Sequence, residues 1–301
     1  MKKLTSLVAL LLVLCLSLGG CDLLSMLGLG TQSPISLDEV PAYSGPAYVE
    51  INGNVPSFTD EEKAAATASY EFYSELDALG RCGYAEASVG IDIMPTEERG
   101  SIGSVKPSGW HTVKYDVVDG KYLYNRCHLV GYQLTGENAN EKNLITGTRY
   151  LNIEGMLDFE NMIAHYVTET ENHVLYRVTP IFEGSEPVAR GVLMEGWSVE
   201  DDGAGVCFSV YAYNVQPGVT IDYATGKSWL SGEEPPADDA PDTPDDEGVN
   251  VTYILNISTR RFHLPTCSSV SGMSEKNKQE FVGSRDDLLS DDFVPCGTCK
   301  P

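Results

Sequence analysis

A histidine and several asparagines are concentrated between Tyr124 and Asn152, in the segment YNRCHLVGYQLTGENANEKNLITGTRYLN. Among side chains, histidine alone has an ordinary pKa, roughly 6.5, that lets it act as a base at neutral pH. The amide oxygen of asparagine is a hard, neutral ligand that suits Mg²⁺, an ion that keeps most of its waters and takes few protein groups. His128 and Asn152 together could therefore supply one general base and one lightly held metal ion, which is enough to cleave a phosphodiester.

The distribution of charge constrains where such chemistry could act. The 301-residue chain has a formal charge of −24, and so acidic a protein is not expected to bind polyanions over its whole surface. Between Arg99 and Arg149, however, seven lysines and arginines outnumber four acidic residues. The segment around His128 is therefore locally basic, and much of the excess acid lies elsewhere in the chain.

A β-hairpin is predicted to position the histidine. The dipeptide Asp119-Gly120 is typical of a tight hairpin turn, and residues 110–115 before it have the composition of a strand. The chain that leaves the turn leads directly to His128. We therefore expect His128 at the end of a hairpin whose first strand is formed by residues 110–115.

A helix is predicted to position the metal ligand. Apolar residues recur at spacings of three and four from Asn152 to about residue 168, which is typical of a helix. Glu160 follows Asn152 by eight residues and should lie on roughly the same side of that helix. A hairpin with a histidine, packed on a helix with a metal ligand, is a ββα unit.

Further strands and one further helix complete the predicted domain. The capping box from Thr59 to Glu62 predicts a helix from residue 59 to about residue 79. Other strands are expected at residues 47–51, 80–90, 174–182, 189–197 and 206–215. The predicted fold class is α+β, with the ββα unit packed against a mainly antiparallel sheet.

The N-terminus has the pattern of an export signal. Met1-Lys-Lys3 precedes an apolar run that is too short to span a membrane. The run ends in Leu18-Gly-Gly-Cys21, which resembles the lipobox of bacterial lipoproteins. We expect residues 1–21 to be a signal peptide with its lipobox, and residues 22–46 to be a tether. Lipidation of Cys21 would hold the protein on the extracellular face of the bacterial cytoplasmic membrane; cleavage without lipidation would give a secreted protein.

An acidic segment separates two predicted domains. Residues 232–248 contain eight acidic residues, four prolines and no large apolar side chain, which is typical of a disordered spacer. The domain before it would span residues 47–231. Residues 249–301 would form a small second module, with a strand at its start and a helix-like segment in its middle.

The small module contains four residues with the spacing of zinc ligands. His263 and Cys267 are four residues apart, and Cys296 and Cys299 form a CxxC pair. A module of about 53 residues needs a staple to fold, and a tetrahedral Zn²⁺ held by three cysteines and one histidine would provide it. A disulfide between two of the cysteines is the alternative in an extracellular protein.

Three cysteines of the larger domain have no such pattern. Cys82, Cys127 and Cys207 could form one disulfide and leave one thiol, or could be three buried thiols. The sequence does not select a pair. It also indicates no small-molecule cofactor and no particular protein partner.

The segment from Asn125 to Asn152 resembles the DNA/RNA non-specific endonucleases, a family of the ββα-metal, or His-Me finger, type. The signature Asp-Arg-Gly-His of that family corresponds to Asn125-Arg126-Cys127-His128. A pair of asparagines nine residues apart follows, here Asn143 and Asn152. The similarity is strongest to the branch with DNA-entry nucleases and streptodornases, and it extends over roughly residues 80 to 226.

The resemblance implies a role for five residues. His128 would be the general base, and Asn152 would bind Mg²⁺ directly, with Mn²⁺ as a substitute ion. Asn143 would support the geometry of the site, and Glu160 would order metal-bound water. Arg126 would hold a phosphate or the geometry of the site. The implied products carry 5′-phosphates.

Two positions depart from the family signature. Asn125 replaces an aspartate and removes a charge beside His128, and Cys127 replaces a glycine and adds a side chain. Because neither change affects the base or the metal ligand, we expect an active hydrolase with DNA and RNA as substrates. The alternative function is that of a non-catalytic surface lipoprotein, which would bind nucleic acid or cell-wall ligands on a nuclease fold.

Overall fold

A six-stranded antiparallel sheet lies at the centre of the larger domain. The computed structural model describes residues 35–236, 251–283, 285, 288 and 293–301. The strands of residues 35–236 are β1 (Tyr48–Glu50), β2 (Tyr70–Tyr73), β3 (Ala85–Val89), β4 (Tyr124–His128), β5 (Leu144–Thr148), β6 (Val174–Ile181), β7 (Gly191–Ser198), β8 (Cys207–Tyr213), β9 (Val219–Ile221) and β10 (Ser228–Leu230). The sheet has the order β1-β8-β7-β6-β3-β2, and all neighbours are antiparallel. The predicted α+β class is confirmed.

One helix packs against this sheet and forms the main core with it. The helices of residues 35–236 are α1 (Asp60–Ala65), α2 (Tyr132–Thr135) and α3 (Leu157–Thr170). In α3, Phe159, Ile163 and Val167 follow one another at intervals of four, so they lie on one face, and all three are buried. The ring of Phe159 lies 4.7 Å from that of Phe208 on β8. Each such buried side chain contributes about 1.5–3 kcal/mol to stability.

The histidine-bearing strand pairs with a different partner from the one predicted. β4 forms a separate two-stranded antiparallel sheet with β5, in which His128 lies opposite Leu144. Residues 113–115 do pair with residues 121–123 across the turn, through the bridge from Lys114 to Tyr122 and hydrogen bonds from Tyr115 N–H to the Lys121 carbonyl and from Leu123 N–H to the Val113 carbonyl. The turn itself is present, with positive φ at Gly120 and Lys121. The predicted pairing is thus present beside the turn, but it does not extend to His128. β4 pairs with β5 instead, because a turn signal is local, whereas the buried β5 satisfies β4 from beyond the loop.

The first helix is much shorter than predicted. The capping box at Thr59 and Glu62 is present, but α1 ends at Ala65. The aromatic segment Tyr70–Tyr73 instead forms β2, an edge strand paired with β3. Its residues favour a strand, and the sheet edge offers its backbone hydrogen-bond partners, so tertiary pairing overrides the apparent helical spacing.

The C-terminal module is a small sheet of its own. Its strands are β11 (Val251–Asn256), β12 (Arg261–His263), β13 (Lys278–Gly283) and β14 (Val294–Pro295), in the order β13-β11-β12-β14. β11 is antiparallel to both of its neighbours, and β14 is parallel to β12. The predicted helix-like middle is wrong in part, since β13 occupies it and pairs along the whole of β11.

Residues Leu37–Pro301 form one compact unit, which includes both the larger domain and the C-terminal module. The predicted signal peptide and Cys21 lie outside the described residues, as does most of the acidic segment 232–248. Within the described part of the chain, no helix is long and apolar enough to cross a membrane. The domain bounds stated from the sequence remain predictions.

Candidate active site and metal cluster

His128 is held at the end of β4 in a single tautomer. Its ring is buried, and Nε2 lies 2.8 Å from the carbonyl oxygen of Asn138. Because a carbonyl can only accept a hydrogen bond, Nε2 carries the proton and Nδ1 keeps its lone pair. Asn138, taken from the sequence as a loop residue only, therefore orients the candidate base through its backbone.

Arg99 faces the basic nitrogen of His128. Its Nη2 lies 3.1 Å from Nδ1, and with the tautomer above the guanidinium donates this hydrogen bond. Burial and the charge of Arg99 lower the pKa of His128 to about 3, against the opposing effect of the Asn138 carbonyl. His128 is therefore neutral at pH 7 and can accept a proton.

Arg99 was missed as a site residue in the sequence. It lies in the segment between β3 and β4, where glycines and prolines give no regular period and no motif includes it. The only signal was the local excess of basic residues. Its role depends on the path of that loop, which brings it beside His128 across 29 residues.

Asn143 clamps the chain just after His128. Its Oδ1 accepts a hydrogen bond from the amide of Val130, and its Nδ2 donates one to the carbonyl of the same residue, both at 2.9 Å. The backbone carbonyl of Asn143 accepts from Leu129 as well. The side chain of Asn143 is fully buried, so each of these bonds replaces water that cannot reach it. This geometry agrees with a supporting role.

Arg126 braces the loop that precedes the hairpin. Its guanidinium donates to the carbonyls of Val105 at 2.6 Å and Gly103 at 2.9 Å, and it stacks 4.2 Å from the ring of Trp110. Of the two roles implied by the resemblance, these contacts favour the holding of site geometry. Arg126 also reaches the wall of the cavity described below.

Asn152 lies in a π-helical turn, Leu151–Met156, that leads into α3. Such turns occur frequently at functional sites because they redirect one side chain. The thiol of Cys127 donates a hydrogen bond to Asn152 Oδ1 at 3.1 Å. Cys127, the residue that departs from the family glycine, is fully buried and contacts the predicted metal ligand. The expectation that this departure leaves the metal ligand unaffected was therefore wrong.

Glu160 points from α3 toward the loop after β4, where a glycine makes room for it. A Cβ added at Gly131 would lie 2.5 Å from Glu160 Oε2, closer than non-bonded atoms tolerate. Glu160 is largely buried. The absence of a side chain at position 131 therefore lets a carboxylate reach the candidate site.

A cavity of about 850 Å³ brings most of these residues together. His128, Arg126, Asn152, Glu160 and Arg99 all line it, whereas Asn143 acts from behind. The amide oxygen of Asn152 and the carboxylate of Glu160, about two helical turns apart, are oxygen donors of the kind that Mg²⁺ prefers. This donor set fits a Mg²⁺ ion, and Gly131 leaves the room that the Glu160 carboxylate occupies.

The four zinc-ligand candidates converge in the C-terminal module. The ligand atoms of His263, Cys267, Cys296 and Cys299 lie within 4.8 Å of one another. The sulfurs of Cys267 and Cys296 are 3.9 Å apart, close to the spacing around a tetrahedral Zn²⁺ with bonds of about 2.3 Å and far from the roughly 2.0 Å of a disulfide. Backbone amides of Leu264 and Thr298 donate to two of the sulfurs.

Two further features of the cluster suit a metal ion. His263 Nδ1 is buried and has no hydrogen-bond partner among the described residues. Burial raises the pKa of Cys296, but amides of Cys299 and Thr298 outweigh it and lower the pKa to about 6, which favours the thiolate. The donor set and its geometry therefore fit Zn²⁺.

The other cysteines of the described chain are free thiols. Cys82 and Cys127 are buried, and Cys207 is exposed. Of the two alternatives, the three buried thiols are wrong for Cys207, and no disulfide links these three residues. Burial raises the pKa of Cys82 to about 12 and that of Cys127 further, so neither thiol is nucleophilic at neutral pH.

The order of elements around the cavity defines a class of protein. A two-stranded hairpin presents the candidate base, and the helix that follows presents candidate oxygen ligands to the same cavity. This is the architecture of the ββα-metal nucleases.

Comparison with known proteins gives the family. The model of the DNA/RNA non-specific endonucleases matches residues 61–199, which include β4, β5 and α3. A deoxyribonuclease from Streptococcus dysgalactiae subsp. equisimilis is 29% identical over 134 residues, which are 43% of this chain and 40% of that protein. The chain thus spans about two fifths of the length of that relative. Residues 61–199 are thus similar to the DNA/RNA non-specific endonucleases.

Solved structures share the fold. NucA from Streptococcus agalactiae, crystallised with magnesium bound, is 25% identical with a TM-score of 0.54, over 60% of this chain and 85% of that one. Sda1 nuclease, crystallised with a zinc ion, is 24% identical with a TM-score of 0.50, over 62% of this chain and 97% of that one. The sequence resemblance to streptococcal nucleases is thereby confirmed.

Proposed function

We propose that the chain is an extracellular, Mg²⁺-dependent endonuclease that hydrolyses DNA and RNA with little sequence preference. The observation that carries this proposal is the neutral, tautomer-fixed His128 on the wall of a cavity that also presents Asn152 and Glu160. The magnesium bound by NucA, a 25% identical relative, supports the choice of ion. The family supports a phosphodiester as the bond that is cut.

His128 would take the proton of the attacking water at Nδ1. The Asn138 carbonyl holds Nε2–H, so the ring keeps its orientation and its protonation state. In the free protein Arg99 donates to Nδ1. A phosphate is a stronger partner for a guanidinium than a neutral nitrogen is, so bound substrate would attract Arg99 and leave Nδ1 for water.

Asn152 would bind the ion directly, and Glu160 would orient its water. When bound, Mg²⁺ stabilises negative charge on the phosphate and on the leaving 3′ oxygen. Asn143 and Arg126 would keep the loops on both sides of His128 in place. Cleavage on the 3′ oxygen side leaves a 5′-phosphate, and no part of the scheme needs a 2′-hydroxyl or a base edge.

The Cys/His cluster would hold Zn²⁺ as a structural ion. All four positions are filled by protein ligands, which is typical of structural rather than catalytic zinc. Its binding energy would fold a module that has only a small core.

The protein would act on the extracellular face of the membrane. Residues 1–21 would be removed or modified, and acyl chains on Cys21 would anchor the mature chain. The acidic segment would separate the larger domain from residues 249–301.

Cleavage of supercoiled plasmid and of RNA tests the proposal. The soluble form, residues 22–301, is incubated with each substrate and Mg²⁺ beside H128A and N152A. We expect Mg²⁺-dependent loss of both substrates, and a loss of activity of at least 10²-fold in each variant, because each removes a group that acts on the reacting atoms.

The matched control is H165A, which removes an exposed histidine of α3. It should cleave like the wild type. If the wild type binds nucleic acid but leaves it intact between pH 6 and 9, the protein is instead a surface binding module on a nuclease fold.

A further inference from the structure

The two faces of the sheet in the C-terminal module make different contacts. Successive side chains of a strand point to opposite faces, so Tyr253 and Leu255 lie on one face and Ile254 on the other. Ile254 pairs with His263 and packs in the cluster that holds Cys267. The cysteine ligands therefore lie under one face, and Tyr253 and Leu255 occupy the face turned away from them.

That second face packs on the nuclease domain. Tyr122, two residues before β4, is buried together with Tyr253, Leu255, Phe262 and Leu288 of the module. The guanidinium of Arg285 lies 5.7 Å over the Tyr122 ring as well. The module is thus docked through an aromatic core next to the strand that carries His128.

The same face continues into the catalytic cavity. The same cavity that His128 and Asn152 line is also lined by residues of the module, namely Leu255, Ile257, Arg260, Gln279, Phe281, Leu288 and Phe293. Ile257 remains 39% exposed, and the guanidinium of Arg260 lies 4.7 Å over the Phe293 ring. The module therefore adds mainly apolar and aromatic side chains, together with Arg260 and Gln279, to a cavity in which most of the charged residues come from the nuclease domain.

Unpaired nucleic acid matches these two kinds of lining residue. Its phosphates would face His128 and the arginines, while its bases would present flat apolar surfaces to Phe281 and Ile257. In a duplex the bases are stacked inside the helix, so their flat faces cannot contact the apolar side chains of the module. A cavity of about 850 Å³ lies within the roughly 300–1,000 Å³ of sites that enclose a small ligand, a volume that suits a few nucleotides of one strand.

We propose that the C-terminal module is the second wall of the nuclease cleft and binds unpaired bases, so that the whole protein prefers single-stranded DNA or RNA to duplex. This inference rests on the proposed nuclease function for its biological meaning. Duplexes would be cut more slowly, from strand ends and transiently open regions.

Binding to labelled oligonucleotides tests the proposal on the full chain. In an H128A background with Mg²⁺, fluorescence anisotropy compares a short single strand, as DNA and as RNA, with the duplex of the same sequence. We expect tighter binding of the single strands, and a weakening of about tenfold in F281A and in I257A with little change for the duplex. V282A is the matched control, since Val282 lies on the same strand, faces the other way and is 58% exposed.

Folding and function are separated by two further measurements. Because Ile257 is exposed, I257A should fold even if F281A disturbs the module, and zinc content checks both. Equal binding of duplex and single strand, or unchanged binding in both variants, would overturn the proposal. Cleavage assays of the wild type, F281A and V282A, all with His128 intact, then distinguish the two proposals. A wild type that cleaves no nucleic acid refutes the proposed nuclease function. A wild type that cleaves single strands and duplexes equally refutes only the proposed role of the module.

Discussion

Two features of its surroundings determine how His128 can act as a base: what lowers its pKa, and what fixes its tautomer. Burial and the neighbouring Arg99 disfavour its charged form, and the Asn138 carbonyl fixes which nitrogen is free. A lowered pKa makes the histidine a weaker base but keeps it neutral over a wide pH range. The residue therefore stays in the form that can accept a proton from water.

The pH profile follows from this environment. As the pH falls through 6.5 an ordinary histidine would gain a proton and lose activity, but His128, with its lowered pKa, should stay neutral. We expect kcat/KM at saturating Mg²⁺ to show no acid limb near pH 6.5. R99Q removes one cause of the shift, so its acid limb should move to higher pH; identical limbs in both proteins would contradict the assignment.

Cys127 contacts Asn152, the residue proposed to bind the metal ion. Its thiol donates to Asn152 Oδ1 at 3.1 Å from a fully buried position. C127A should raise the Mg²⁺ concentration for half-maximal activity by about tenfold, the usual cost of losing a residue that orients a ligand. C127S keeps a donor and should lie between C127A and the wild type. A change in thermal stability without any change in the Mg²⁺ dependence would show that Cys127 only fills space.

At the scale of elements, the site depends on the loop between β4 and β5. Asn138 and Asn143 belong to this loop, and both bond back to the end of β4. The loop therefore fixes the end of β4 and the side chain of His128, as pairing with a further strand would. The π-helical turn does the same for Asn152 on the other side.

Loss of the Asn143 side chain should lower both the stability of the protein and its turnover. N143A leaves the amide and carbonyl of Val130 buried without partners, so the free energy of unfolding should fall by about 2–4 kcal/mol in urea titrations. Since the loop also holds His128, kcat should fall more than KM rises. N140A is the control, because it loses only a half-buried turn contact to Lys142 and should cost about 1 kcal/mol or less.

At the scale of the whole molecule, the module and the nuclease domain share one apolar interface. Tyr122 joins them, and the Cys/His cluster, proposed to hold Zn²⁺, lies on the other face of the module sheet. Loss of a metal ion from this cluster should therefore disturb the module residues that line the cavity, although the cluster itself does not line it.

Removal of zinc should show this coupling. A zinc-selective chelator, used with excess Mg²⁺, should lower the Tm of the module transition and weaken single-strand binding, as should C296S. C207S, which alters an exposed thiol, should change neither. We expect one Zn²⁺ per chain by elemental analysis; a purified protein with no zinc and a bond between Cys267 and Cys296 would contradict the assignment.

Much of the site was predictable because it lies in short segments of sequence. The spacing of His128, Asn143, Asn152 and Glu160 is set along a strand, a loop and a helix, and local signals identify such elements. The two ligand pairs of the zinc cluster were predictable for the same reason, since tetrahedral coordination limits the spacing of each pair.

What the sequence alone determined about this protein is its local chemistry: a base, oxygen ligands, a Cys/His set and an α+β succession of elements. Only the tertiary structure decided which strand pairs with β4, that Arg99 faces Nδ1, and that the module lines the same cavity as His128. Those three facts join residues far apart in the chain. They depend on which buried surfaces and backbone groups satisfy one another, and no local pattern encodes that choice.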